Sequence, residues 1–576
     1  MKLLNNIKKM LKVDKKPWEK FYPKDKRKIK VPEGSLYEYV RGKAENHMNN
    51  IAINYFGNTM SYSKLFHEID LCARALVSQG IRKDDVVSIC MANTPEAVIS
   101  FYAVSKIGAI ANMIHPLSSE QEIKHSLNST HSVMLIAINI CYENIKNVID
   151  NTAVYKVVVV SPKDSMPPLT GFGYFLLQDR KIHIPSNSEK FVKWKDFVDK
   201  GLKYSQDVEV KRKKDDPAVI LHSGGTTGTP KNIVLTNGNI NVVPEQAKIA
   251  LYDTDDTDRM LCILPMFHCF GLVETIHFPT AMGEEMILVP KFDAKEFDKL
   301  ILKYKPTIIP GVPTLFEALI KNTRMQGVDM SFVKYIVSGG DTLPPEKNIA
   351  VNHFLKEHNC KHNIVQGYGL TETSGGCIFP TNGTDIPGCS GIPLPGNEIK
   401  IIDVDTHEEL GPNENGELLI SGPSVMLGYL DNEKETNEIL EKDSKGKIWV
   451  HTGDMGHMNE DGVFFFVQRI KRLIIVSGYN VFPSHIEDVL EKNKYVSSSC
   501  VIGIPHPYKI QVPKAFIVLK PGYKDKVKIR KEIKEYCEKN LAKYMIPKEF
   551  VFRESLPKTM IGKVDFKKLE QENANT

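Results

Sequence analysis

The sequence predicts an α/β fold with largely parallel sheets, followed by a smaller α+β domain. Short β-branched runs alternate with amphipathic stretches between about residues 34 and 469, the pattern of strands joined by helical crossovers. Several of these runs lead straight into glycine-containing loops, where open parallel sheets place their ligands. After about residue 469 that alternation stops, and charged helices and a Lys-rich end take over. A length of 576 residues exceeds what one core organises, so at least two domains are expected.

The most apolar long stretch, 97–117, is interrupted by Ser100, Ser105 and Lys106. It reads as a buried helix and strand, not as a membrane span. Residues 217–221 read as a strand entering a Gly/Thr loop, and 260–264 and 286–289 as further strands. An amphipathic helix is expected over 294–304, with strands at 307–309, 335–337 and 363–365. In the smaller domain, 473–476 and 515–519 read as strands, and 484–493 and 527–541 as helices. No repeat or low-complexity segment occurs, which excludes solenoids and coiled coils. The expected division is a basic tail over 1–30, a large domain over 31–470 and a small one over 471–576.

A content of 42% hydrophobic and 25% charged residues fits an ordinary globular protein. The ten cysteines form no C-x-x-C pair and no Cys/His cluster at zinc spacing, so a reducing, cytoplasmic setting is expected. No secretory signal is read at the start. The net charge of +5 is unevenly placed: residues 1–30 hold eleven Lys and one Arg against three acids, leaving −4 for the rest. Leu3, Leu4, Ile7, Met10 and Leu11 recur at helical spacing among Lys8, Lys9 and Lys12. Residues 1–16 therefore read either as a basic amphipathic helix on an anionic membrane surface or as a solvated terminus. Nucleic acid is not an expected partner, because basic residues and aromatics do not interleave over a folded face.

Five segments carry chemistry. In Ser223-Gly224-Gly225-Thr226-Thr227-Gly228, followed by Lys231, glycines let the backbone close on phosphate oxygens while hydroxyls and a cation meet their charge. It is not the usual nucleotide loop, since Pro230 precedes the Lys and Asn232 follows it. Residues 366–373 bring together Gly367, Tyr368, Gly369, Thr371 and Glu372, a ring for a purine, a hydroxyl for phosphate and a carboxylate for a hard cation. Asp454 and Arg469 suit ribose hydroxyls, and His268 beside Phe267 lies in an aromatic run. Lys563 follows a glycine near the C-terminus. Taken singly, His268 also reads as a core histidine and Lys563 as a surface lysine.

The order and wording of these segments resemble the adenylate-forming superfamily from about residue 37 to residue 569, and within it the long-chain fatty acid–CoA ligases. Further support lies in Pro17-Trp18, Tyr22-Pro23 and the segments 311–319, 475–483 and 503–516. The resemblance implies a large adenylate-forming domain of α/β subdomains and a small mobile α+β lid. It implies ATP, Mg²⁺ and CoA as co-substrates, with no prosthetic group, and release of AMP and pyrophosphate. In this reading the 223–231 loop holds the phosphates, and Gly339, Gly340 and Asp341 border the adenine. Glu372 and Thr227 serve the metal, Thr371 the α-phosphate, and Tyr368 the purine. Asp454 and Arg469 hold the ribose, and Lys563 meets the reacting carboxylate. Ser477, Gly478 and Tyr479 line the pantetheine path, while Phe267, His268, Gly311 and Val312 border the acyl pocket.

Departures from the family pattern raise their own expectations. Asn232 stands where a glycine is usual and is expected to tolerate positive φ. Asp341 replaces a usual alanine and reads either toward nucleotide or toward solvent. Arg472, with Gln468, replaces the acids of the usual hinge. The expected function is an acyl-CoA ligase for a medium- or long-chain fatty acid. Alternatives are an acyl-AMP ligase loading a carrier protein, an aryl-acid CoA ligase, and a silent acyl or nucleotide binder.

Overall fold

A computed structural model describes residues 16–177, 182, 188–222, 231–381, 383–476, 479–523, 526–559 and 563–574. The amphipathic segment 1–15, the loop residues Ser223, Gly224, Gly225, Thr226, Thr227 and Gly228, and Ser477 and Gly478 lie outside them. Contacts divide the chain into two units. The first comprises residues 1–399, 420–451 and 460–464; the second comprises 400–419, 452–459 and 465–576.

Two large sheets dominate the first unit. In one, among the described residues, the order is Ile364–Gln366, Tyr335–Ser338, Ile308–Gly311, Arg259–Cys262, Glu285–Leu288, Ile51–Tyr55, Asn58–Ser61. All neighbours are parallel up to the final antiparallel hairpin. Strands such as Ile308–Gly311 are buried along their length, which explains their unbroken apolar text. The other sheet runs Gly428–Tyr429, Asn232–Thr236, Pro217–His222, Ile110–Met113, Val86–Cys90, Ser132–Ile138, Lys156–Val160, Phe191–Lys193. Its core is parallel, and Asn232–Thr236 returns antiparallel beside Pro217–His222.

The apolar stretch forms the helix Pro95–Lys106, buried at every position, and then the strand Ile110–Met113. Thr94 caps the helix by accepting from Ala97 N. Lys106 keeps its charge inside by donating to Asp70 Oδ1 at 2.7 Å, as a buried ammonium requires. Among the described residues no helix is long and apolar enough to cross a membrane. Trp18 and Tyr22 are buried, and Tyr22 OH donates to Pro393 O at 3.1 Å, so the second half of the basic tail is anchored on the first unit.

The strand expected at 260–264 ends earlier, at Cys262. A side chain takes over the pairing there: Asn93 Nδ2 donates to Cys262 O and Leu264 O, at 2.9 and 2.8 Å, and Asn93 Oδ1 accepts from Met266 N. Asn232 also departs from expectation. It lies within the strand Asn232–Thr236 and is absent from the positive-φ residues.

In the second unit Tyr479–Val481, Ile474–Val476, Ile510–Leu519 and Val496–His506 pair antiparallel, and Glu549–Arg553 joins Ile510–Leu519 in parallel. The helices Pro483–Glu491 and Lys526–Asn540 pack their apolar stripe against this sheet through Ile486, Leu490, Ile529 and Ile533. The mixture is the α+β arrangement that the sequence predicts.

Candidate active site

Four adjacent strands of the first sheet end side by side, and each delivers one of the expected segments. Arg259–Cys262 leads to Phe267 and His268, Ile308–Gly311 to Val312, Tyr335–Ser338 to Gly339 and Gly340, and Ile364–Gln366 to Gly367 and Tyr368. The register aligns them: Gly311 pairs with Ser338 and Ser338 with Gln366. Gly339 N donates to Gly311 O at 3.0 Å and Gly367 N to Ser338 O at 2.9 Å. This is the carboxyl edge of a parallel sheet, where such folds bind ligands. Glycine is needed at 339 because an added Cβ would lie 2.8 Å from the Phe270 ring.

Around that edge the rings gather. Phe267 lies 4.7 Å from His268 and 4.2 Å from His115, centroid to centroid. Burial pushes the His115 imidazole down, so a neutral ring faces the segment. Tyr368 meets Phe464 edge-on at 5.5 Å. Asp341 is exposed, and its Oδ1 accepts from Thr342 N at 2.9 Å; the carboxylate closes its own turn.

Thr371–Thr373 forms a single 3₁₀ turn, which Ser374 leaves in the left-handed region at φ 57°. That reversal presents Glu372, whose Oε1 accepts from Tyr429 OH at 3.0 Å. Burial, and then the Glu372 carboxylate, push the Tyr429 phenol up, so it remains a donor. Lys231 Nζ stands 4.6 Å over the Tyr429 ring and 2.5 Å from Glu435 Oε2. Glu372, Tyr429, Lys231 and Glu435 thus form one polar cluster, which Lys231 joins from just after residues 223–230. Sequence reasoning missed Tyr429 and Glu435, which come from a short strand and helix with no distinguishing local text. It also missed His222, whose Nδ1 lies 2.9 Å from Asn232 Oδ1 across the two strands that bracket the loop.

The second unit holds the remaining candidates. Arg469 Nε lies 3.1 Å from Asp454 Oδ1, with the Asp454 side chain 2% exposed and that of Arg469 45%. Lys563 O accepts from Thr559 N at 2.7 Å, which fixes its backbone beside the Lys558–Val564 bridge. Arg472 is anchored rather than loose: Nη2 lies 2.5 Å from Glu487 Oε1 and donates to Val501 O at 3.3 Å. Its guanidinium sits 5.2 Å over the Phe566 ring. Tyr479 begins the strand Tyr479–Val481.

The sequence pattern of the AMP-binding enzyme family matches residues 40–430, and that of the AMP-binding enzyme C-terminal domain matches 485–563. The chain belongs to the AMP-binding enzyme family. This AMP-binding enzyme is 33% identical to a long-chain-fatty-acid–CoA ligase of Bacillus subtilis over 570 residues, covering 97% of this chain and 99% of the relative. It is 32% identical to a probable 4-coumarate–CoA ligase of Dictyostelium discoideum, covering 88% and 89%. The fold is also that of a benzoate CoA ligase from Burkholderia xenovorans, with a TM-score of 0.78 at 22% identity, covering 93% and 99%.

Among the described residues of the AMP-binding enzyme, no group of three or more His, Cys, Asp and Glu stands ready to hold a metal. Magnesium usually takes one or two carboxylates, with substrate phosphates and water completing its shell. Glu372 offers one hard oxygen besides the one bonded to Tyr429.

Proposed function

We propose that the chain is an ATP- and CoA-dependent acid–thiol ligase whose acid is a medium- or long-chain fatty acid. The observation that carries this reading is the set of four strand ends, which puts the aromatic segment of Phe267 and His268 beside two glycine turns and the segment leading to the Thr371–Thr373 turn. The near full-length likeness to a fatty acid ligase supports the substrate class.

A carboxylate does not accept a thiol directly, because oxide would have to leave; AMP leaves readily. The acid attacks the α-phosphate in line, and catalysis of that step is positioning and charge neutralisation. In this reading Lys231 and the 223–228 loop take the β- and γ-phosphates. Thr371 faces the α-phosphate, Glu372 and Thr227 serve Mg²⁺, and Tyr368 lies along the adenine with Gly339, Gly340 and Asp341. Asp454 and Arg469 hold the ribose, and Lys563 meets the carboxylate as charge builds. Phe267, His268, Gly311 and Val312 border the acyl chain. Ser477, Gly478 and Tyr479 border the incoming thiol, and Arg472 tunes the lid.

A panel of alkanoates and aryl acids assayed for CoA-dependent AMP and pyrophosphate tests the proposal. Fatty acids are expected to give both products, whereas ADP and phosphate would overturn the reading. Highest turnover with benzoates or cinnamates would favour the aryl reading, which the 4-coumarate and benzoate ligase likenesses suggest. Transfer to a carrier protein but not to CoA would favour the acyl-AMP ligase. We further propose that residues 1–16 rest on anionic membrane, each Lys there adding about 1 kcal/mol. Deleting residues 1–12 should weaken binding to anionic vesicles while leaving activity in detergent; unchanged vesicle binding would sink this idea.

A further inference from the structure

The strands on either side of the Gly/Thr segment are tied at their ends. Pro217–His222 and Asn232–Thr236 are antiparallel neighbours, and His222 is the register partner of Asn232. Their side chains bond as well: His222 Nδ1 lies 2.9 Å from Asn232 Oδ1. Asn232 gives its Nδ2 to Ser129, at 3.0 Å from Oγ and 3.3 Å from the carbonyl oxygen. Its Oδ1 therefore accepts, and the imidazole Nδ1 donates. The residue before the segment and the residue after Lys231 are thus joined by strand pairing and by side chain.

The pair is itself held from behind. His222 Nε2 lies 2.8 Å from Asn112 Oδ1 and 2.9 Å from Ser126 Oγ. Asn112 is fully buried on the strand Ile110–Met113, where its Nδ2 donates to Ser88 Oγ at 2.7 Å and to Thr130 Oγ1 at 3.0 Å. Ser126 and Ser129 both belong to the helix Glu120–Ser129. On its other side the Asn232 carbonyl oxygen accepts from Leu430 N at 2.8 Å. That contact adjoins Tyr429, whose ring carries Lys231 Nζ at 4.6 Å. A largely buried polar network of this kind fixes geometry more than it adds stability.

We propose that His222 and Asn232 are positioning residues for the triphosphate of ATP: their bond fixes both ends of the segment 223–231, Lys231 included, before the nucleotide arrives. Holding the ends of a nine-residue segment in advance lowers the conformational entropy that binding must remove. The inference rests on the ligase reading, in which that segment takes the β- and γ-phosphates. AMP lacks those two phosphates, so the clamp acts on ATP affinity and leaves AMP affinity alone.

Calorimetric titration of the full chain with Mg²⁺-ATP, and separately with AMP, tests this in the absence of any acid. The variants are H222A, N232A, the double variant H222A/N232A, and H222N. H222A and N232A should each weaken ATP binding about tenfold, with AMP binding unchanged. The double variant should bind ATP no more weakly than either single one, because both remove the same bond. H222N keeps an N–H donor near the place of Nδ1 and should recover most of the loss. N232A leaves His222 with Asn112 and Ser126, so it decides the question should H222A fail to fold. Unchanged ATP binding in N232A overturns the proposal, and so does an equal loss of ATP and AMP affinity, the mark of a merely structural role. Additive losses in the double variant overturn it too. In each of these cases the unaltered protein still binds both nucleotides and the ligase reading stands; an unaltered protein that binds neither overturns both.

Discussion

Replacing Lys563 by alanine should slow acid-dependent pyrophosphate exchange by about 10²- to 10³-fold, the range seen when one preorganised group facing developing charge is removed. Its backbone carbonyl accepts from Thr559 N and the neighbouring Lys558–Val564 bridge is also backbone, so the substitution removes the ammonium without removing either contact. Transfer to CoA from preformed acyl-adenylate should stay close to the unaltered rate, because the lysine is assigned to the first half-reaction only. K563R should rescue little, since a planar guanidinium does not replace a compact point charge. Single-turnover assays of the two half-reactions separate these outcomes. Adenylation at the unaltered rate in K563A would remove the residue from the mechanism.

The second large effect is expected at Glu372. E372Q keeps the shape of the side chain and an oxygen for the Tyr429 hydroxyl but loses the charge that a hard cation needs. Adenylation should fall by about 10²-fold at a Mg²⁺ concentration that saturates the unaltered enzyme. Raising Mg²⁺ should recover part of the loss, which a purely structural role would not allow. A Mg²⁺ titration that superimposes on that of the unaltered enzyme would show that the carboxylate does not serve the metal. The site around it should survive the change, because Met426 N donates to the Glu372 backbone carbonyl at 2.9 Å, independent of the side chain.

The strand ends of the first sheet were legible in the sequence because buried parallel strands read as unbroken apolar runs. Ile308–Gly311, Tyr335–Ser338 and Ile364–Gln366 are short apolar runs that stop at or beside glycine, and their backbone pairing sets the segments that follow them side by side. What was not legible depends on partners far along the chain. Glu274 sits in an apolar run, and Gly376, whose N–H its Oε1 accepts at 2.5 Å, is 102 residues away. Asn232 looked like a substitute for a flexible glycine. In the structure its amide is drawn to His222 on the neighbouring strand and to Ser129 at the end of the helix Glu120–Ser129, where Nδ2 donates to Oγ at 3.0 Å. Arg472 read as a lost hinge acid, and nothing local announces Glu487 as its partner. Tyr429 owes its place to a two-residue strand paired with Asn232–Thr236, too short to leave a pattern.

The division of the chain into two units bears on how such proteins exchange parts. The backbone passes between the units five times, at 399/400, 419/420, 451/452, 459/460 and 464/465. A single crossover at 399/400 carries parts of the first unit along with the second, and one at any later point leaves part of the second unit behind. A donor segment beginning at Phe465 would inherit residues 400–419 and 452–459 from the recipient, including Asp454, the partner of Arg469. Shuffling among relatives is therefore expected to preserve those two short stretches together with the C-terminal half, as a co-inherited set rather than as a movable cassette.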